Sequence, residues 1–284
     1  MNDMAATPAW DVQPLEWGRF SVDGGAMFGI LPKAMWERMA PADLKNRIRM
    51  SLRGLLIRGH GITAVVDCGC GDKLSDKMKT IYGLEPPEGG AMALLGKHGV
   101  RVEDVTHLII THLHFDHVGG ATLRKDNGLV ATFPNARVVI QAAQLAAARN
   151  PTPLDRAAFL PDDYEPLAEQ GRLTVLDGPT ELAPGLSIEL AHGHTPGQQM
   201  VKVRRANDTV VFPGDLLPVV GHLSLSAFMA FDLEPKVTVA EKSRFLASAV
   251  EQGYIVVFDH DPDVIAVRLR QGERSVEVAE RIAL

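Results

Sequence analysis

Cysteine is nearly absent: Cys68 and Cys70 are the two in 284 residues. Being two positions apart, they could form only a strained bridge closing almost no loop, so a disulfide framework is excluded. No run of about 18 apolar residues occurs, and Met1–Pro8 has neither the basic flank nor the apolar stretch of a signal peptide. A cytoplasmic protein without a membrane span is therefore expected. Basic residues are outnumbered, 29 against 35 acidic, for a net charge of −6. That balance lacks the positive field that draws a protein to a phosphate backbone, which makes nucleic acid a poor default partner. Low-complexity linkers and fixed-period repeats are also missing. What remains, 46% hydrophobic and 23% charged, is the composition of a globular chain able to bury a large core.

From Leu52 onward, short β-type apolar runs stop at polar or Gly-rich clusters. Strands are expected at 55–57, 62–66, 107–110, 137–140, 173–176, 186–190, 200–203, 210–212, 254–258 and 264–267. Helices are expected at 32–39, 73–81, 92–98, 142–148 and 235–251, the last opening on Pro235 and stopping before Gly253. Hairpin-length spacings imply antiparallel or mixed pairing, with helices on the outer faces, hence a layered α/β arrangement. The Pro-rich stretch 151–166 and Gly171 divide the chain into two halves, read as two sheets in one domain. Residues 1–50 read as an N-terminal extension to a catalytic domain at 51–284. In that extension Met27, Phe28 and Trp36 either pack onto the body or a second subunit, a homodimer, or belong to a loop over a pocket.

Thr111-His112-Leu113-His114-Phe115-Asp116-His117-Val118-Gly119-Gly120 directly follows an apolar strand. Three imidazoles and a carboxylate before a Gly-Gly turn are hard to satisfy without a cation. On extended chain His112 and His114 point the same way, and a turn after Phe115 aims Asp116 and His117 at a second position nearby, so one segment can feed two metals. His194, Asp215 and His260 also stand where expected strands end, and strand ends on one edge converge. His192, two residues from His194, is either a hydrogen-bonding support for a ligand or a satisfied polar neighbour. Asp259 and Asp261 read as holding the turn around His260.

His112-x-His114-x-Asp116-His117, then Gly193-His194-Thr195-Pro196-Gly197, Gly214-Asp215 and His260, resembles the metallo-β-lactamase-fold hydrolase superfamily over about Leu52–Asp263. The resemblance implies a four-layer αββα sandwich of two mixed β-sheets flanked by helices. It implies two divalent metal ions, one held by His112, His114 and His194, the other by Asp116, His117 and His260, with Asp215 bridging both. Asp67-Cys68-Gly69 stands where the family carries a strand-ending Asp-Thr-Gly. Asp67 reads as support for the ligands, and Cys68 and Cys70 as small buried residues.

The activity implied is hydrolysis by metal-bound hydroxide, with zinc favoured over manganese, cobalt or iron and Asp116 passing a proton to the leaving group. The nearest branch is lactonase-like and organophosphate-hydrolase-like, so a small apolar ester or lactone is the expected substrate, with a phosphotriester as the alternative. Iron-dependent redox chemistry on the same fold is the alternative from another class. One departure stands out: acyl-homoserine lactonases carry a tyrosine three residues after the bridging aspartate, and here that position is Pro218. None of Tyr82, Tyr164 and Tyr254 is near Asp215 in sequence, so help for the leaving group or oxyanion falls to another residue, His222 being the candidate. Met27, Phe28, Trp36, Leu217, Phe228 and Met229 are candidates to line an apolar pocket.

Overall fold

The period-2 runs assemble into two mixed sheets in a computed structural model that describes residues 10–126 and 128–284. The stretch Met1–Pro8, read above for a signal, lies outside the described residues. In chain order the elements are β1 (Asp11–Asp23), α1 (Gly24–Phe28), α2 (Lys33–Trp36), β2 (Arg47–Gly59), β3 (Ile62–Val66), α3 (Asp76–Tyr82), α4 (Gly90–Gly96) and β4 (His107–Ile109). There follow α5 (Phe115–Val118), the hairpin β5 (Thr122–Lys125) and β6 (Gly128–Ala131), β7 (Arg137–Gln141), α6 (Ala142–Arg149), α7 (Glu165–Glu169) and β8 (Leu173–Leu176). The second half holds β9 (Thr180–Ala183), β10 (Leu186–Ala191), β11 (Gln198–Arg204), β12 (Thr209–Phe212), α8 (Pro235–Glu251), β13 (Ile255–Val257), β14 (Ala266–Gln271) and β15 (Val276–Ile282).

The first sheet runs β1-β2-β3-β4-β7-β8 and the second β15-β14-β13-β12-β11-β10-β9. Alternating side chains fill the layers on either side of each sheet. In β3, Ala64 and Val66 enter the core between the sheets while Val65 packs under the outer helices; in β12, Val210 and Phe212 face inward and Val211 faces α8. On α8 the buried stripe Phe245, Leu246 and Ala249 closes the far side of the second sheet, each large side chain contributing roughly 1.5–3 kcal/mol by leaving water. This is the expected αββα sandwich. Among the described residues no helix is long and apolar enough to cross a membrane.

Two expectations are corrected. The boundary after residue 50 falls inside β2, and residues 11–23 are no appendage: β1 pairs with β2 from Asp11↔Arg58 to Asp23↔Arg47. The halves also meet later than the Pro-rich stretch, because β8 still belongs to the first sheet and the second begins at Thr180. Strands β1, β9 and β15 and the β5–β6 hairpin lie beyond the expected set. They are edge or outlying elements whose apolar alternation is broken by charge, as in Val276-Glu277-Val278-Ala279-Glu280-Arg281-Ile282. The helix expected from residue 73 starts at Asp76, because the Ser75 side chain caps it by accepting from Met78 N.

Candidate metal centre

Strand ends from both sheets converge on one edge. β4 releases His112 and His114, and α5 then turns Asp116 and His117 inward; from the second sheet β10 delivers His194, β12 Asp215, and β13 Asp259 and His260. Two groups of side chains result, each with ligand-type atoms within 4.8 Å of one another: His112, His114 and His194, and His117, Asp215, Asp259 and His260. Asp215 joins them. Its Oδ2 lies 3.2 Å from His194 Nε2 and 3.9 Å from His112 Nε2, while its Oδ1 lies 3.3 Å from His117 Nε2 and 3.2 Å from His260 Nε2. Asp116 Oδ2 stands 3.7 Å from the Nε2 atoms of both His117 and His260.

The opposite edges of the rings are tied to acceptors. His117 Nδ1 donates to Asp67 Oδ2 at 2.9 Å, His194 Nδ1 to Asp232 Oδ1 at 2.9 Å, and His260 Nδ1 to the Ser51 carbonyl at 2.8 Å. Carboxylates and carbonyls only accept, so the proton sits on Nδ1 and the Nε2 lone pairs face inward. The Nε2 atoms of His117 and His260 consequently meet at 3.3 Å, and His194 Nε2 meets His114 Nδ1 at 3.1 Å. His112 Nε2, Asp215 Oδ1 and both oxygens of Asp259 are buried without a hydrogen-bond partner among the described residues. Inward-facing lone pairs and orphaned buried carboxylate oxygens are what a pair of divalent cations satisfies.

Electrostatics follow the same geometry. Burial pushes His112 and His114 well below the ordinary imidazole range. Burial opposes charge on His117 and His260 too, but at His117 the carboxylates of Asp116 and Asp215 outweigh it, and at His260 those of Asp259 and Asp215 raise the ring to about 9. Burial raises Asp259 to about 7. At His194, in the first group, Asp215 and Asp232 likewise outweigh burial, so the rings that face carboxylates are the ones that favour positive charge.

The Asp67 carboxylate also accepts from Thr111 N at 2.8 Å and Thr111 Oγ1 at 2.7 Å, gripping the start of the histidine segment from a left-handed backbone (φ 50°). Gly119 and Gly120 let that segment dock. A Cβ would lie 2.4 Å from the Cys70 carbonyl oxygen at Gly119, and 2.1 Å from that of Cys68 at Gly120. Cys68 and Cys70 are buried, free and outside both groups, their thiols pushed up by burial.

Other expectations need correction. His192 is exposed and makes no hydrogen bond to either group among the described residues; its Nδ1 accepts from Gly197 N at 3.2 Å, which steadies the turn carrying His194. Leu217 packs in the core beyond the second sheet, and Met27, Phe28, Trp36 and Met229 lie in the core outside the first. Phe228 alone of the pocket candidates is half-buried. His222, the candidate to help the leaving group or oxyanion, is buried, stacks on Phe28 at 5.2 Å and donates Nε2–H to the Met27 carbonyl at 3.0 Å, and burial pushes it down to about 3.

Three further residues bear on the site without a sequence signal that assigns them there. Asp259 reads in sequence as a turn residue, yet its carboxylate joins the second group. Asp232 reaches His194 from 38 residues away, a distance no local pattern reveals. Tyr82, remote from Asp215 in sequence, packs 5.0 Å from Phe115, and burial with the nearby charge of Asp116 raises its pKa. The other two phenols are engaged elsewhere, Tyr164 with the Ala148 carbonyl and Tyr254 with Gln252 and Lys202.

Two sheets back to back, with a carboxylate-linked double cluster of imidazoles at one edge, define a class of two-centre metal proteins. The profile of the Metallo-beta-lactamase superfamily matches residues 55–261, and the chain belongs to that superfamily. An N-acyl homoserine lactonase of Bacillus cereus is 26% identical over 181 residues, which cover 61% of this chain and 63% of that protein. The chain thus spans less than two thirds of the length of that curated relative. Among solved structures, a probable metal-dependent hydrolase from Staphylococcus aureus superposes with a TM-score of 0.87 at 26% identity, over 98% of this chain and 99% of the other. A dizinc quorum-quenching lactonase superposes with a TM-score of 0.79 at 19% identity, over 97% and 95%, a likeness of fold alone.

Proposed function

We propose that this chain is a binuclear metal-dependent hydrolase of small apolar lactones or esters, with N-acyl homoserine lactones the first substrates to test. The observation that carries the reading is Asp215, whose two oxygens each face a pair of imidazole Nε2 atoms, one pair from each cluster. His112, His114 and His194 would hold one ion, and Asp116, His117 and His260 the other. Such a pair would supply hydroxide at neutral pH and polarise the scissile carbonyl.

The chain's own residues do the rest. Asp67, Asp232 and the Ser51 carbonyl hold their rings in one tautomer and orientation. Asp116, with 15% of its side chain exposed against 8% for Asp215, is the carboxylate open to take the proton the attacking water releases and pass it to the departing alkoxide. Tyr82, packed on Phe115 beside Asp116 in the chain, is the phenol we assign to the donor role that Pro218 leaves empty. The relatives' activity and the shared fold support the lactone reading.

The test is elemental analysis of the purified full chain, together with turnover of N-acyl homoserine lactones and of a phosphotriester. About two metals per chain are expected, with lactone turnover abolished by chelation and lowered at least about a thousandfold by Asp215→Asn, the scale of losing a central electrostatic group. Full activity after stripping to zero metal sinks the reading. Phosphotriester turnover without lactone turnover moves the substrate to that branch.

A further inference from the structure

The two clusters are not chemically alike. The first offers three imidazoles and one oxygen of Asp215. The second offers two imidazoles, the other Asp215 oxygen, Asp116 at 3.7 Å from both rings, and Asp259. Asp259 is the unexpected member. It is 1% exposed, neither of its oxygens has a hydrogen-bond partner among the described residues, and it lies within 4.8 Å of the ligand-type atoms of His117, Asp215 and His260. Its backbone is fixed independently, since Arg53 N donates to its carbonyl at 2.9 Å. Nothing in that backbone bond requires the side chain to be acidic, and a buried carboxylate without a partner is costly to keep.

We propose that Asp259 is a further metal-binding carboxylate and that it makes the second position oxygen-rich, so that this position takes a harder cation such as Mn²⁺ while the three-imidazole position takes Zn²⁺. The physical ground is ligand softness: imidazole suits zinc, whereas carboxylate oxygen suits manganese and magnesium. Zinc binds nitrogen and oxygen sites more tightly than manganese in general. The difference therefore appears as an unequal zinc-to-manganese preference between the two positions rather than as exclusion. The inference rests on the two-metal reading of the site above but not on its substrate.

The experiment loads metal-stripped full-length protein with one equivalent of Zn²⁺ and then one of Mn²⁺. It is read by elemental analysis, by the Mn²⁺ electron paramagnetic resonance signal, and by anomalous diffraction at both metal edges. A mixed pair is expected, zinc beside His112, His114 and His194 and manganese beside Asp259. Asp259→Asn should weaken Mn²⁺ binding at least about tenfold and leave the first zinc in place. Manganese remaining free in solution, zinc spread equally over both positions, or unchanged Mn²⁺ affinity in Asp259→Asn overturns the proposal. If the variant fails to fold, the wild-type anomalous maps decide alone. Hydrolysis by a protein whose two positions hold zinc equally keeps the hydrolase reading and defeats this one; a mixed pair without hydrolysis does the reverse.

Discussion

At His222 a single buried ring links stability to pH. Its imidazole is about 3 in the folded chain against about 6.5 when unfolded. Below pH 6.5 the unfolded chain gains a proton that the folded chain refuses, so stability falls as pH falls and the loss is complete only near pH 3. Between pH 7 and 5 this ring should cost about 2 kcal/mol. Denaturant midpoints of wild type and His222→Gln at the two pH values check it: the wild type should lose that much more than the variant, and equal losses would contradict a neutral buried ring. Tyr82 gives a kinetic prediction. Tyr82→Phe should lower kcat at least roughly tenfold on a lactone with KM little changed, as loss of a proton donor requires; a change confined to KM would make the phenol a binding contact.

At the scale of elements, the metal-facing segment is positioned by close backbone approach. The turn after β3 and the end of α5 touch where Cys68 N donates to the His117 carbonyl at 2.7 Å, and only glycines admit that approach. Gly120→Ala would place its Cβ 2.1 Å from the Cys68 carbonyl oxygen, and overpacking against backbone should cost about 3 kcal/mol. Thermal melts should show a Tm lower by roughly 5–10 °C. Gly96→Ala is the control, because the added Cβ meets nothing within 4 Å at a helical position, and it should be neutral or slightly stabilising. Buried Lys73 braces the same region through the Gly119 and Thr122 carbonyls and an ion pair with Asp163 at 3.1 Å.

Across the whole molecule, the long pairing of β1 with β2 makes residues 11–23 part of the first sheet. Val12 enters the layer between the sheets, while Leu15, Trp17, Phe20 and Val22 enter the outer core. Deleting residues 1–50 should therefore abolish cooperative folding, read by circular dichroism and solubility. A soluble truncated chain with a sharp thermal transition would show that β1 is dispensable.

The residue types and spacing of the histidine segment, and the periodicity of the central strands, are legible in the chain because both are local. Period 2 marks a buried strand, and four potential ligands in six positions concentrate more lone pairs than an ordinary strand end can satisfy. Four of the side chains around Asp215 are nameable for that reason, and His194 and His260 because they stand where expected strands end. Edge strand β1 is not, because an edge needs only half its side chains apolar and tolerates Pro14 and Gly18. Sequence by itself determined which atoms could bind a cation. Tertiary structure alone decided that Asp259 faces the second cluster, that Asp232 orients His194, that Tyr82 lies beside Phe115 and near Asp116, and that His222 points into the core. Each depends on contacts between strand ends and loops far apart along the chain, and local pattern carries no information about which distant segment the fold will bring near.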